Sequence, residues 1–328
     1  MKKAVLKFYK LFFLFFSLHA YSSDIKNSEE YSNGSCDFSF KYFVAADTGM
    51  QPATSSIIAP GATLQLVSSQ FIFTEGPAAN KKGDVFFTDR PNNKIWKYSI
   101  DGKLSVFLDN TGRSNGMYFD KKGNLISCAD EKNELWSITP SGKITVLLKD
   151  FQGHKLNGPN DLWIDSKGGI YFTDPYYQRP YWERKTPDIK GQHVYYLAKG
   201  SSEAITVDEN LLQPNGIIGT RDGKYLYVAD IRDKKTYRYI INADGSLKDR
   251  QLFADQGSDG MSIDNKGNIY LCGNGVTVYN AEGKKIEQIP VPSKWTTNVC
   301  FAGKKKDVLF ITASESVYTL QMEVKGGE

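Results

Sequence analysis

Gly83-Asp84-Val85-Phe86-Phe87-Thr88-Asp89 is followed by Lys94-Ile95-Trp96-Lys97-Tyr98, a turn at Asp101-Gly102-Lys103, and Leu104-Ser105-Val106-Phe107. The chain then repeats this pattern. Gly123-Asn124-Leu125-Ile126-Ser127-Cys128-Ala129-Asp130 leads to Glu134-Leu135-Trp136-Ser137-Ile138, Ser141-Gly142-Lys143 and Ile144-Thr145-Val146-Leu147. Further copies begin at Gly169, Lys224, Gly267 and Asp307. Each unit is a short strand of β-branched and aromatic residues, a polar turn, a second strand and an Asp-Gly or Ser-Gly type hairpin. None shows sustained helical periodicity. Equivalent aspartates at Asp89, Asp130, Asp174 and Asp230 lie 41, 44 and 56 residues apart, the longest step absorbing a Pro-rich insertion at residues 176–191.

Multi-strand units of this length, repeated six times, predict an all-β, six-bladed β-propeller over residues 61–328. The sixth unit ends after two strands. Residues 63–67 are expected to supply its missing outer strand, because an unclosed ring would leave sheet edges exposed. Residues 24–60, rich in Ser, Asn and Ala, read as an irregular N-terminal extension.

Residues 1–23 read as a signal peptide. Lysines precede the apolar run from Leu11 to Leu18, and small or polar residues follow at Ala20-Tyr21-Ser22-Ser23. The run is too short to span a bilayer, which needs ~20 residues. A periplasmic or secreted protein, free of the membrane after cleavage, is therefore expected. The formal charge is +4, and Lys2, Lys3, Lys7 and Lys10 in the leader account for it, leaving 0. That balance argues against a nucleic-acid partner. With 40% hydrophobic and 24% charged residues, the chain has the composition of a core-forming domain. Cys36, Cys128, Cys272 and Cys300 show no Cys-x-x-Cys spacing, and either one disulfide or buried thiols fits them. Three histidines, one of them in the leader, are too few for a His-rich metal site. Metal chemistry would need oxygen ligands.

Such ligands recur just before the first strand of each unit. Thr74-Glu75-Gly76-Pro77, Ser114-Asn115-Gly116, Asn157-Gly158-Pro159-Asn160-Asp161, Pro214-Asn215-Gly216 and Ser258-Asp259-Gly260 all place an acid or amide beside Gly or Pro. One such pair is only a turn former. Five at matching positions converge on a propeller's central channel, where carboxylate and amide oxygens suit a hard cation such as calcium.

With these residues the chain resembles the gluconolactonase family, which includes the regucalcin lactonases and staphylococcal lactonase. The resemblance runs from about Phe71 to the C-terminus. It is most specific at Lys155-Leu156-Asn157-Gly158-Pro159-Asn160-Asp161 and Tyr171-Phe172-Thr173-Asp174-Pro175. It implies one divalent metal in the channel, calcium first, with zinc, manganese or magnesium as the alternatives. The implied ligands are Glu75, Asn160, Asn215 and Asp259, with Asp259 doubling as the catalytic acid/base. Asn115, Asp174 and Tyr176 are the candidate substrate contacts. The implied reaction is hydrolysis of a sugar lactone, similar to glucono-1,5-lactone, by a monomer or dimer.

Gly112-Arg113-Ser114-Asn115-Gly116 matches the Gly-x-Ser-x-Gly nucleophile pattern, but that pattern requires a strand–turn–helix and a His partner, whereas this segment opens a β unit. His154 reads as an exposed loop residue. Two rival functions stand beside the sugar lactonase: a paraoxonase-like esterase or lactonase, which would need a His dyad at the channel mouth, and a non-catalytic ligand-binding propeller.

Overall fold

The computed structural model describes residues 56–327. Its 24 strands form six four-stranded antiparallel sheets arranged as a β-propeller. The innermost strands are Thr74–Ala79, Ser114–Phe119, Leu162–Ile164, Pro214–Gly219, Met261–Ile263 and Thr296–Ala302. The repeats recur in register as well as in sequence. Phe87 faces Trp96 in the first blade, and Ser127 faces Trp136 in the second. No helix among the described residues is long and apolar enough to cross a membrane.

Burial falls from the axis outward. The second strands Val85–Asp89, Leu125–Ala129, Ile170–Asp174 and Ile269–Gly273 are buried along their whole length. The outer strand Lys285–Ile289 is mostly exposed. Near the axis each sheet is covered on both faces by its neighbours, so the second strands read as near-continuous apolar runs. Aromatic rings fill the wedges between blades, as with Tyr171 and Tyr196 (centroids 4.5 Å apart) and Phe86 against Phe119 (5.2 Å).

The ring closes as expected. Gln65–Ser68 pairs antiparallel with Ser316–Gln321 and becomes the outer strand of the last blade, Gln65 opposite Thr319 and Leu66 opposite Tyr318. Just ahead of residue 61, Ile57 is buried in a core shared by the last two blades and Ile58 bridges to Met322. The signal peptide and most of the extension lie outside the described residues. Cys128, Cys272 and Cys300 are buried, Cys128 and Cys272 as free thiols, and Cys36 lies outside the described residues.

The recurring Asp at the far end of the inner strands serves the turns. Asp120, Asp165 and Asp264 each accept two backbone N–H groups from the following hairpin.

Candidate active site

At the opposite end of the inner strands, a belt of contacts between blades sets the channel residues side by side. Gly116 N–H donates to the Asn160 carbonyl (2.7 Å), Thr173 Oγ1 to the Asn215 carbonyl (2.7 Å), and Gly260 N–H to the Thr297 carbonyl (2.6 Å). Thr297 Oγ1 donates to the Thr74 carbonyl (2.8 Å), returning the belt to the first blade. Two glycines let the strands come this close. At Gly76, with φ +47°, a Cβ would run into the Asn115 carbonyl; at Gly216 it would run into that of Asp259. The Gly after Glu75 and the Gly after Asn215 are thus packing requirements of the ring.

Glu75, Asn115, Asn160 and Asn215 are buried, and Asp259 is partly buried. The two carboxylates feel each other. Burial first, then the Asp259 charge, pushes the Glu75 carboxyl well above its ordinary range, with Arg90 and the Gly76 N–H opposing. Burial raises Asp259 to about 6 against the hydrogen bond from Trp295 and the charges of Arg90 and Arg179. Trp295 Nε1–H donates to Asp259 Oδ2 at 2.7 Å. Asn215 Nδ2 donates to the Tyr177 hydroxyl at 3.0 Å, which orients the amide, and its Oδ1 is buried without a donor. Asn115 Oδ1 is likewise buried and without a donor.

Two acids repelling one another beside amide oxygens that lack hydrogen is an arrangement short of positive charge. Buried oxygens of this kind ordinarily find a partner. The donor set therefore fits a hard divalent cation, for which carboxylate and amide oxygens are the usual ligands. Among the described residues no three His, Cys, Asp or Glu side chains cluster as a metal site. Here the amides would have to complete the shell.

Two of the expected substrate contacts move. Asp174 is buried, and its two oxygens accept the backbone N–H groups of Asn157 and Gly158 (both 2.8 Å). It fastens the loop that carries Asn160, as Asp230 fastens Leu212 and Gln213. Tyr176 turns away: its hydroxyl donates to Gln178 Oε1 and the Arg184 guanidinium lies over its ring. The next residue, Tyr177, is the one that meets Asn215. Alternation along an extended segment sends neighbours to opposite sides, so a one-residue offset selects the wrong ring.

Sequence reasoning also missed Trp295, Arg90, Arg179 and the sixth blade's Asn298. The sixth blade opens Thr296-Thr297-Asn298-Val299 without the Gly that flagged the others. Its only available signal was position ahead of the Val308 repeat. Ser114 is fully buried, its Oγ–H donating to the Thr111 carbonyl at 2.7 Å, in a β-strand. His154 is exposed and His193 pairs with the Tyr195 hydroxyl, so no His dyad is assembled among the described residues. A cavity of about 530 Å³ occupies the turn end of the inner strands. Met117, Leu162, Ile217 and Met261 line it, and none of the five channel acids and amides does.

A profile of the SMP-30/Gluconolactonase/LRE-like region matches residues 73–315. Over 311 residues the chain is 26% identical to a gluconolactonase of Zymomonas mobilis, covering 85% of this chain and 86% of that protein. A gluconolactonase structure from Xanthomonas campestris superposes with a TM-score of 0.76 at 27% identity, covering 81% of this chain and 91% of that one. A second solved structure, assigned as a gluconolactonase, gives 0.78 at 29% identity, with 83% and 96% covered. The six-bladed fold, the superposed structures and the family profile agree: the chain belongs to the SMP-30/gluconolactonase/LRE-like family.

Proposed function

We propose that this lactone-hydrolysing enzyme opens a sugar lactone, of the glucono-1,5-lactone kind, to its aldonic acid outside the cytoplasm. The observation that carries this reading is the meeting of Glu75 and Asp259 beside the donorless Asn215 Oδ1 at the channel end of the blades. Glu75, Asn160, Asn215 and Asp259 would hold the cation, calcium first. When bound, it supplies Lewis-acid polarisation of the lactone carbonyl.

The chain's own residues do the rest. Asp259 is raised only to about 6, so near neutral pH it is mostly ionised and able to take a proton. Trp295 Nε1–H holds Oδ2 and fixes the orientation of the carboxylate. Asp259 accepts the proton of an attacking water and returns it to the ring oxygen as the C–O bond of the ester breaks. No covalent enzyme intermediate is needed, in keeping with a Ser114 hydroxyl that is buried and spent on Thr111. The donorless Asn115 Oδ1 would accept a substrate hydroxyl. Export rests on the leader alone.

The test is a pH-indicator hydrolysis screen of sugar lactones, acyl lactones and aryl esters, each with and without EDTA. Chelator-sensitive turnover greatest on sugar lactones is expected. Preference for aryl esters, or turnover untouched by thorough chelation, would overturn the reading.

A further inference from the structure

Asp130 breaks the pattern of its equivalents. Asp89, Asp174 and Asp230 accept backbone N–H groups from the loop leading into their own blade. Asp130 instead holds the insertion carried by the next blade. Its Oδ2 accepts Arg179 Nε–H at 2.8 Å and the Tyr181 hydroxyl at 2.6 Å, and its carbonyl accepts Trp182 Nε1–H at 3.1 Å. Three side chains of the insertion thus hang on one residue. The Arg179 guanidinium in turn lies over the Tyr177 ring, 5.1 Å from its centroid. The insertion is fastened so that Tyr177 stands at the channel residues.

The Tyr177 hydroxyl oxygen accepts from Asn215 Nδ2. A phenol that accepts still has its own proton to give. Among the described residues, none takes it. On the same amide Asn215 Oδ1 lacks a donor, as does Asn115 Oδ1 in the second blade. With the cation on Asn215, Tyr177 offers a ligand one fixed donor, the complement of a hydroxyl oxygen.

We propose that Tyr177 contacts substrate, donating its O–H to a hydroxyl oxygen of the bound lactone, and that the insertion pinned at Asp130 makes the site select hydroxylated over unsubstituted lactones. This rests on the lactonase reading above. A site built around a polar partner discriminates more strongly than an apolar wall, because an analogue lacking the hydroxyl leaves the donor unpaired.

The experiment compares kcat/KM for glucono-1,5-lactone and δ-valerolactone, which share a six-membered ring and differ in hydroxyls, in wild type, Tyr177→Phe and Tyr176→Phe. Phenylalanine keeps the ring under Arg179, so the insertion stays in place. The glucono-to-valero ratio is expected to fall at least about tenfold in Tyr177→Phe and to hold in Tyr176→Phe, whose hydroxyl sits on Gln178. An active wild type with an unchanged ratio in Tyr177→Phe overturns the contact and leaves the lactonase reading standing. So does an equal fall in Tyr176→Phe, which would mark general disturbance of the insertion. A wild type that opens neither lactone removes both readings at once.

Discussion

Asp259→Asn and Glu75→Gln delete the same charge from one buried pair, yet they should fail in different ways. In the metal-free protein both carboxyls are raised, Asp259 from 3.8 to about 6. A rise of about two units is worth roughly 3 kcal/mol of destabilisation at neutral pH. Part of that is desolvation, which the amide also bears, so either variant should gain about 1–2 kcal/mol in EDTA at pH 7.5. For a domain of this size that is a melting temperature higher by roughly 2–6 °C. With metal present the two diverge. Asparagine keeps the volume and a carbonyl for the Trp295 N–H, but it cannot take a proton, and general-base assistance is worth about 10²–10⁴ in rate. Glutamine at 75 keeps an acceptor for the Gly76 N–H and loses only charge, so its turnover should return to within about tenfold of wild type as metal is raised. The assay is kcat for glucono-1,5-lactone across a calcium titration, with melting curves in EDTA alongside. If Asp259→Asn regains wild-type turnover at saturating calcium, Asp259 is a ligand only and the base lies elsewhere. If both variants melt below wild type in EDTA, the repulsion argument is wrong.

Ser114→Ala should keep turnover within a few-fold of wild type, losing about 1 kcal/mol of stability as the Ser127 hydroxyl loses its acceptor; a thousandfold loss of kcat would restore it as a nucleophile. Calcium should raise the melting temperature more at pH 7.5 than at pH 5.5. Glu75 and Asp259 (the latter raised to about 6) are carboxyls whose folded-state values lie above their unfolded ones. Their contribution is therefore full below about pH 4 and is lost as pH rises through those raised values, where the deprotonated ligands bind metal best. Equal calcium shifts at the two pH values would count against the carboxylate ligand set. Asp130→Ala leaves Arg90 and Arg179 without their shared carboxylate, at a cost of about 3 kcal/mol, and should speed amide exchange in residues 176–191 ahead of the blades. Unchanged protection of that segment would show that Asp130 is not its anchor.

Much of this molecule is local in origin. The alternation in Val85-Phe86-Phe87-Thr88 and its copies, the Asp-Gly hairpins and the recurring polar residue ahead of each inner strand depend on neighbours a few positions apart, so a linear reading finds them. The same logic singled out Glu75, Asn115, Asn160, Asn215 and Asp259, because a propeller brings equivalent positions of every unit to one axis. It carried no sign of the contacts that hold Asp174 and Tyr176. Whether a side chain faces the channel or fastens a loop depends on which partner arrives across the fold, and Asp174 found two backbone N–H groups first.

The sequence by itself determined the repeat, the blade number and the ring of oxygen-bearing residues, since strand period and turn chemistry are written within single units. Only the tertiary structure decided how those residues are tuned. The Trp295 bond to Asp259 joins residues 36 apart in the chain, and the Asp130 anchor spans 49 to Arg179 and 51 to Tyr181. Such pairs carry no periodic signal. They come into being when closure of the ring presses blade against blade, and the buried carboxylates' repulsion exists only once water has been excluded from between them.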